Sequence, residues 1–391
     1  MTAPLPARLV ALPAGLRRAA GGERRRARLS ATLSRYLGRQ VLIGIGFALF
    51  GLALVALVVD TVELLRRAYG RPGVRFGTVL LMALLHLPFL LQKLMPFGVL
   101  FGTILTFQRL TRSHELVATR AAGVSVWQFL SPALLVAGGL GVLAVVAFNP
   151  LASVLVARYE ALDHRLLSQQ TSLISVAPGG LWLRQPDHGG GELLLHARKM
   201  NPATAELEQV VVFSFGPDAR FASRIDAPRA YLRDGHWELV NPLISATDGS
   251  SRTESQLDLP TDLTPPRIEE SYAAPETLSF WDLPRFIEDL EAVGFSAREH
   301  RLYWHGLLAM PLLLSAMLLI GTTSSLRLVR RGGTGLLIAA GLATGFVFYI
   351  MSDVVFAIGL SGRLPAILAA WIPAGVAVLL GLTTLLHLED G

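Results

Sequence analysis

The sequence predicts an α-helical membrane protein with six transmembrane helices, three on either side of an inserted all-β domain. Three observations point there. Apolar runs long enough to cross a hydrocarbon core of ~30 Å fill both ends of the chain, and a long polar stretch with strand-like alternation separates them. Charged residues make up only 16% of the chain and apolar residues 52%, where a soluble domain carries roughly a quarter charged. Arginines gather at the ends of the apolar runs rather than in one patch. The net charge of +6 therefore reflects membrane topology, not a nucleic-acid surface. There is no cysteine, so disulfides and thiolate metal sites are excluded.

In chain order, residues 1–34 read as a basic, disordered cytoplasmic tail. They lack the order of charged, apolar and small-residue regions that marks a signal peptide, and the first apolar run starts only at Val41. Val41 to Val59 is the first span. Phe76 to Gln108 is too long for one straight span, at about 50 Å. Pro88 and Pro96 predict an outer interfacial helix, a kink, and a span from about Leu87 to Phe107, with Lys93 snorkelling to the interface. Val124 to Phe148 is the third span. Residues 35–150 thus form the first membrane unit.

Residues 151–277 read as the β-domain. Leu181 to Arg184 and Leu193 to His196 flank a turn region containing Gly189, Gly190 and Gly191. Val210 to Phe215 is a β-branched and aromatic run. Ala230 to Arg233 and His236 to Val240 flank Asp234-Gly235, a hairpin signal of type I′. Short strands with regular turn punctuation predict a sandwich or barrel. Residues 278–391 hold a connecting amphipathic helix from Leu278 to Gly294, with Ser279 as N-cap and Asp282 three residues on. Spans near Gly306–Leu326, Gly335–Ser352 and Pro365–Leu386 follow.

Orientation follows from the short loops. Nine arginines precede the first span against the single acid Glu23, and Arg109, Arg112, Arg120 and Arg327, Arg330, Arg331 lie in alternate loops, with only Arg363 between spans five and six. Basic residues accumulate on the cytoplasmic side, so both termini are expected inside and the β-domain outside. Arg66, Arg67, Arg71 and Arg75 break that pattern. They read either as interfacial anchors or as an outer cluster for the phosphates of an anionic lipid, since a guanidinium donates two parallel hydrogen bonds. Asp60 and Asp353 are acids in or near spans; each faces a protein interior or aqueous cavity, or lies close enough to the outer interface to be hydrated.

Catalytic patterns are lacking: no P-loop, no metal-binding histidine pair, and Asp187-His188 and Glu299-His300 read as solvated. No catalytic, metal or cofactor residue is assigned. The segment Gln108 to Gly123 reads as a short cytoplasmic helix ended by Gly123. Its charges with apolar Leu116 and Val117 suit either simple packing or docking of a cytosolic partner.

At these residues the chain resembles the LptF/LptG permeases of the lipopolysaccharide exporter. The resemblance rests on Ser113-His114-Glu115-Leu116-Val117 with Arg120-Ala121-Ala122-Gly123, which carry a one-residue insertion. It also rests on Met95-Pro96-Phe97 with Leu100-Phe101-Gly102, Gly180-Leu181-Trp182, and Gly345-Phe346-Val347-Phe348-Tyr349. It covers nearly everything from about Arg35 onward, and the stretch from Asp60 to Arg67 looks more like the LptG branch. The resemblance implies a periplasmic jelly-roll-like domain, a multi-pass inner-membrane location, and a permease subunit of an ABC transporter that moves lipopolysaccharide. The implied partners are a paralogous LptF-type permease, a cytosolic LptB-type ATPase dimer that holds ATP and Mg, and LptC-type and LptA-type jelly-roll proteins. It further implies a coupling helix at about 109–123 with Arg112, Ser113, Glu115, Leu116, Arg120 and Gly123 facing the ATPase. Lipid contacts are implied at Asp60, Glu63, Arg66, Arg67, Phe97 and Phe346. The chain departs from enterobacterial members at Asp60, where they carry lysine. An LptF-type paralogue, an exporter of another lipid and a membrane-anchored periplasmic scaffold are the alternatives.

Overall fold

The computed structural model describes residues 31–71, 74–121, 124–168, 173–177, 180–186, 191–201, 204–216, 218, 220–247, 249–261, 263, 274–326 and 334–390. Among them are six helices long and apolar enough to cross a membrane, with an antiparallel sheet between the third and fourth. Residues 1–30, Asp187, His188, Gly189, Gly190, Arg327, Arg330 and Arg331 lie outside the described residues.

The first helix, α1 (Ala31–Ala68), runs well past both ends of its apolar core. The second, α2 (Phe76–Arg112), is one helix containing Pro88 and Pro96, so the expected division into an interfacial helix and a separate span is not found. Neighbouring helices can take up the backbone groups that proline frees in a membrane helix, and α2 lies against α1 and the helices Asn149–Asp163 and Arg298–Leu326. The α1–α2 crossing is close: a Cβ on Gly102 would stand 2.5 Å from the Ile45 Cα. Small residues let membrane helices approach in this way.

The short helix α3 (Glu115–Ala121) is separate from α2, because Ser113 ends α2 and His114 turns the chain at φ 59°. Gln108 to Arg112 therefore belong to the long helix, not to a 109–123 unit. Next comes α4 (Val126–Leu143), opened by a reciprocal capping box between Ser125 and Gln128. A π-turn at Ala144–Phe148 joins it to α5 (Asn149–Asp163), and a second π-turn spans His164–Ser168. The rod runs 42 residues, Val126–Leu167. The β-domain therefore does not begin at residue 151. Asn149-Pro150 looks like a stop, but proline fits the first turn of a helix segment, and Ala152, Ser153 and Val156 bury one face of the extension.

Among the described residues nine strands follow: β1 (Leu173–Ala177), β2 (Gly180–Pro186), β3 (Glu192–Asn201), β4 (Glu206–Phe215), β5 (Phe221–Arg233), β6 (His236–Val240), β7 (Leu243–Ala246), β8 (Ser251–Thr253) and β9 (Gln256–Pro260). They order as β1-β2-β3-β4-β5-β6-β9, with β7 joining β5 to β8. Pro228 explains the branch. It sits in β5 between the half paired with β7 (Ser223 to Asp226) and the half paired with β6 (Arg229 to Arg233), and it has no N–H for a ladder. Opposite it, Gln209 takes φ 53° and leaves one pair missing from the β4–β5 ladder, while the register itself shifts only at Ser214 and Phe215. At Asp234-Gly235 only Gly235 has positive φ, 81°. A type I′ turn needs it at both residues, so the hairpin is present but its turn is of another type.

One face of the sheet buries Leu181, Leu195, Val212 and Trp237, and α6 (Leu283–Ala292) adds Ile287 and Leu290 to the same core. This helix starts later than the expected Leu278, because Pro284 belongs in its first turn. Ser279 instead caps the turn ahead of it, accepting from the Asp282 N–H at 3.3 Å. Gly294 ends the helix at φ 102°, with its N–H on the Glu291 carbonyl and that of Phe295 on Leu290; this is a Schellman motif. Three membrane helices complete the chain: α7 (Arg298–Leu326), α8 (Thr334–Leu360) and α9 (Ala366–Asp390). In the bundle, α7 is central. Its Leu314, Met317 and Leu318 join Ile45, Leu100, Phe107 and Phe129 in one buried cluster.

Candidate functional site

The sequence-assigned residues, Phe97 and Phe346 apart, fall toward the ends of their helices. At one end, α2 stops at Ser113, whose N–H bonds the Arg109 carbonyl at 3.0 Å. The Glu115 carboxylate opens α3, where an acid is favoured by the helix dipole. It accepts from the Ser113 hydroxyl at 2.9 Å and from the Tyr36 hydroxyl of α1 at 3.0 Å. Leu116, next in sequence, is buried in the main core. One residue thus seats the helix while its neighbour presents an exposed carboxylate. Arg112 is exposed nearby. Nothing is described for the Arg120 side chain, and Gly123 lies outside the described residues.

At the other end, Arg66 grips Glu63 one turn back on α1, at 2.9 and 2.7 Å. Arg67 reaches across to Asp163 of α5, at 2.8 and 2.9 Å to its two oxygens. Arg71 donates to the Leu166 carbonyl at 3.3 Å. Asp60 meets His86 Nδ1 of α2 at 3.1 Å, and the His86 ring stacks on Tyr159 of α5, centroids 4.4 Å apart and 8° from parallel. Beneath these pairs, Leu64, Met82, Ala83 and Leu167 form a small buried cluster. Arg66 and Arg67 are thus matched by acids of the chain itself. Arg66 is the more open of the two, with 76% of its side chain exposed against 39% for Arg67. Sequence reasoning missed His86, Tyr159 and Asp163.

Phe97 and Phe346 are not brought together. Phe97 packs on Tyr349 of α8, centroids 5.6 Å apart, while Phe346 points outward, 61% exposed. Asp353 lies on the same open side of α8. Lys93 sits over the Phe89 ring at 4.4 Å. Outward apolar faces on α1 (Phe47, Phe50, Val59) and α8 (Phe346, Val347, Val354) contrast with the covered α7.

A bundle of six spans, an inserted antiparallel sheet and a short helix seated between spans two and three define a multi-pass membrane protein. The sequence profile described as "Lipopolysaccharide export system permease LptF/LptG" matches residues 35–387, and the chain belongs to that family. It is similar to the lipopolysaccharide export system permease protein LptG of Escherichia coli, at 24% identity over 365 residues, covering 91% of this chain and 98% of that one. It is also similar to LptG of Haemophilus influenzae, at 22% identity over 360 residues, covering 88% and 95%. The family makes the chain a lipopolysaccharide-transport permease, a transport subunit rather than a catalyst.

Proposed function

We propose that this chain is the LptG-type half of a lipopolysaccharide-extracting ABC exporter in the inner membrane. It would pair with an LptF-type permease, be driven by a cytosolic LptB-type ATPase dimer that carries ATP and Mg, and pass the glycolipid to LptC-type and LptA-type proteins. Both termini are cytoplasmic and the sheet is periplasmic in this reading, supported by the arginine-rich N-terminal segment and the loops at Arg109–Arg120 and Arg327–Arg331.

The observation that carries the reading is the pairing of an exposed Glu115 with a buried Leu116 on a helix fixed into the core. A push on the carboxylate reaches the bundle without slack. Transport needs such a drive, because withdrawing acyl chains from a bilayer exposes CH₂ groups at ~0.8 kcal/mol each. The opposite end supports a role for Arg66, with Arg67, in meeting lipid phosphates, because 76% of the Arg66 side chain reaches solvent even with Glu63 held at 2.7 and 2.9 Å. Asp60 bonds His86, so it serves helix packing in this reading rather than the substrate.

Two measurements test it. A Glu115→Lys variant is expected to lose the co-purifying ATPase; retention with wild-type ATP turnover refutes the coupling role. Arg66→Glu with Arg67→Glu is expected to abolish photocrosslinking of lipopolysaccharide near α1, and undiminished crosslinking refutes the lipid role.

A further inference from the structure

The third membrane rod meets the chain returning from the β-domain at a point where the rod is not α-helical. Pro150 has no N–H to give the Val146 carbonyl four residues back, and in a regular helix its ring presses on that carbonyl. The chain makes a π-turn over Ala144–Phe148, and the Asn149 N–H reaches back to the Ala144 carbonyl. The Val146 carbonyl accepts instead from the Trp281 indole at 3.3 Å.

Asn149 itself is 1% exposed. Its Oδ1 accepts the Phe280 N–H at 2.8 Å, and its Nδ2 donates to the Tyr303 hydroxyl at 3.1 Å and to Gln92 Oε1 at 3.4 Å. One amide therefore joins α2, α5, α7 and the segment ahead of α6. Phe280 stacks on Trp304, centroids 6.2 Å apart, and Val145, Leu283 and Leu307 bury the space beside it. Seven residues after Phe280, α6 enters the core of the sheet through Ile287, followed by Leu290.

We propose that Asn149 is a positioning residue for transport. With the π-turn beside it, Asn149 holds the base of the β-domain in register with α2, α5 and α7, so that a shift of those helices moves the sheet as a unit. The physical ground is the cost of an unmet polar group away from water. Breaking one contact leaves a donor or acceptor stranded, so the joint holds one arrangement instead of sliding. π-turns recur at functional positions in helices for a related reason: they hold the chain one residue out of α register. This role rests on the exporter reading above.

The test uses the complete exporter in proteoliposomes, measuring lipopolysaccharide released per ATP hydrolysed together with amide exchange at Phe280. Asn149→Leu removes all three bonds at similar volume. Trp281→Phe removes only the donor to Val146 from a side chain that is 61% exposed, and so keeps the fold testable if the first variant fails to assemble. Losing one hydrogen bond at the joint should raise local opening about fivefold. Faster Phe280 exchange in either variant is expected, with ATP turnover near wild type and lipopolysaccharide per ATP reduced several-fold. Faster exchange with unchanged lipopolysaccharide per ATP would make the amide a mere fastener and overturn the proposal, as would unchanged exchange in both variants. If the wild-type exporter moves no lipopolysaccharide on ATP, the exporter reading fails and this role falls with it.

Discussion

The two ends of the bundle use the same side-chain chemistry to opposite effect. At the Arg66 end, side chains meet partners on other helices: Arg67 is ion-paired with Asp163, and Asp60 is hydrogen-bonded to His86. At the Glu115 end, the carboxylate is held by two neutral hydroxyls, those of Ser113 and Tyr36. A charge answered by an opposite charge on another helix, as Arg67 is by Asp163, fixes the two helices together and leaves that residue less open to a ligand than Arg66. A charge steadied by neutral donors keeps its sign, is aimed, and remains available to a basic partner. One end staples; the other presents.

The largest test of that contrast is Asp163→Ala. It leaves the Arg67 guanidinium in a site where only 39% of its side chain reaches solvent. Breaking a fully buried pair costs about 3–5 kcal/mol; solvent access at Arg67 lowers the expected loss to roughly 2 kcal/mol. The thermal unfolding temperature of the purified exporter should fall accordingly. No change would mean that the contact is incidental and the staple is made by apolar packing alone.

A smaller effect separates the Asp60–His86 contact from the ring stack beside it. Asp60→Asn keeps a hydrogen-bonding group against His86 and should destabilise by about 1 kcal/mol or less, whereas His86→Leu removes the Tyr159 stack as well and should cost more. A double-mutant cycle on these two sites is expected to give a coupling of about 0.5–1 kcal/mol. Additive effects would assign Asp60 no structural role and reopen it as a substrate contact.

How far the sequence foretold this contrast depends on the distance between partners along the chain. The spans, the inserted sheet and the Asp234-Gly235 hairpin are local patterns and were readable. At the presenting end Ser113, Glu115 and Leu116 were pointed to by the family resemblance, while the single helix expected over 108–123 is broken at His114. The stapling end was not readable, because Arg67 and Asp163 are 96 residues apart, and because Asn149-Pro150 reads as the end of a helix that in fact continues to carry Tyr159 and Asp163. The signal that could have found them is the spacing of Ala152, Ser153 and Val156, whose small and apolar face continues at helical period beyond the proline. Tyr36 escaped notice for the same reason of distance, 79 residues from Glu115. The phosphate role first assigned to the whole arginine cluster narrows toward Arg66, since Asp163 takes Arg67.

The smallest expected effect belongs to Tyr36→Phe, and it probes presentation most directly. The hydroxyl is on an exposed side chain and donates to an exposed carboxylate, so water replaces it and stability should change by less than about 0.5 kcal/mol. The helix α3 stays seated, because Leu116 and not Glu115 holds it in the core. What changes is aim: the carboxylate keeps the Ser113 hydroxyl but loses the tether to α1 and samples more rotamers. Affinity for the cytosolic ATPase should fall only a few-fold, measured by titration against the intact complex, and adding Ser113→Ala should deepen the loss. A Tyr36→Phe variant that lost the ATPase as completely as Glu115→Lys would show the tyrosine itself to be the docking residue, and the presenting end would have to be redrawn around α1.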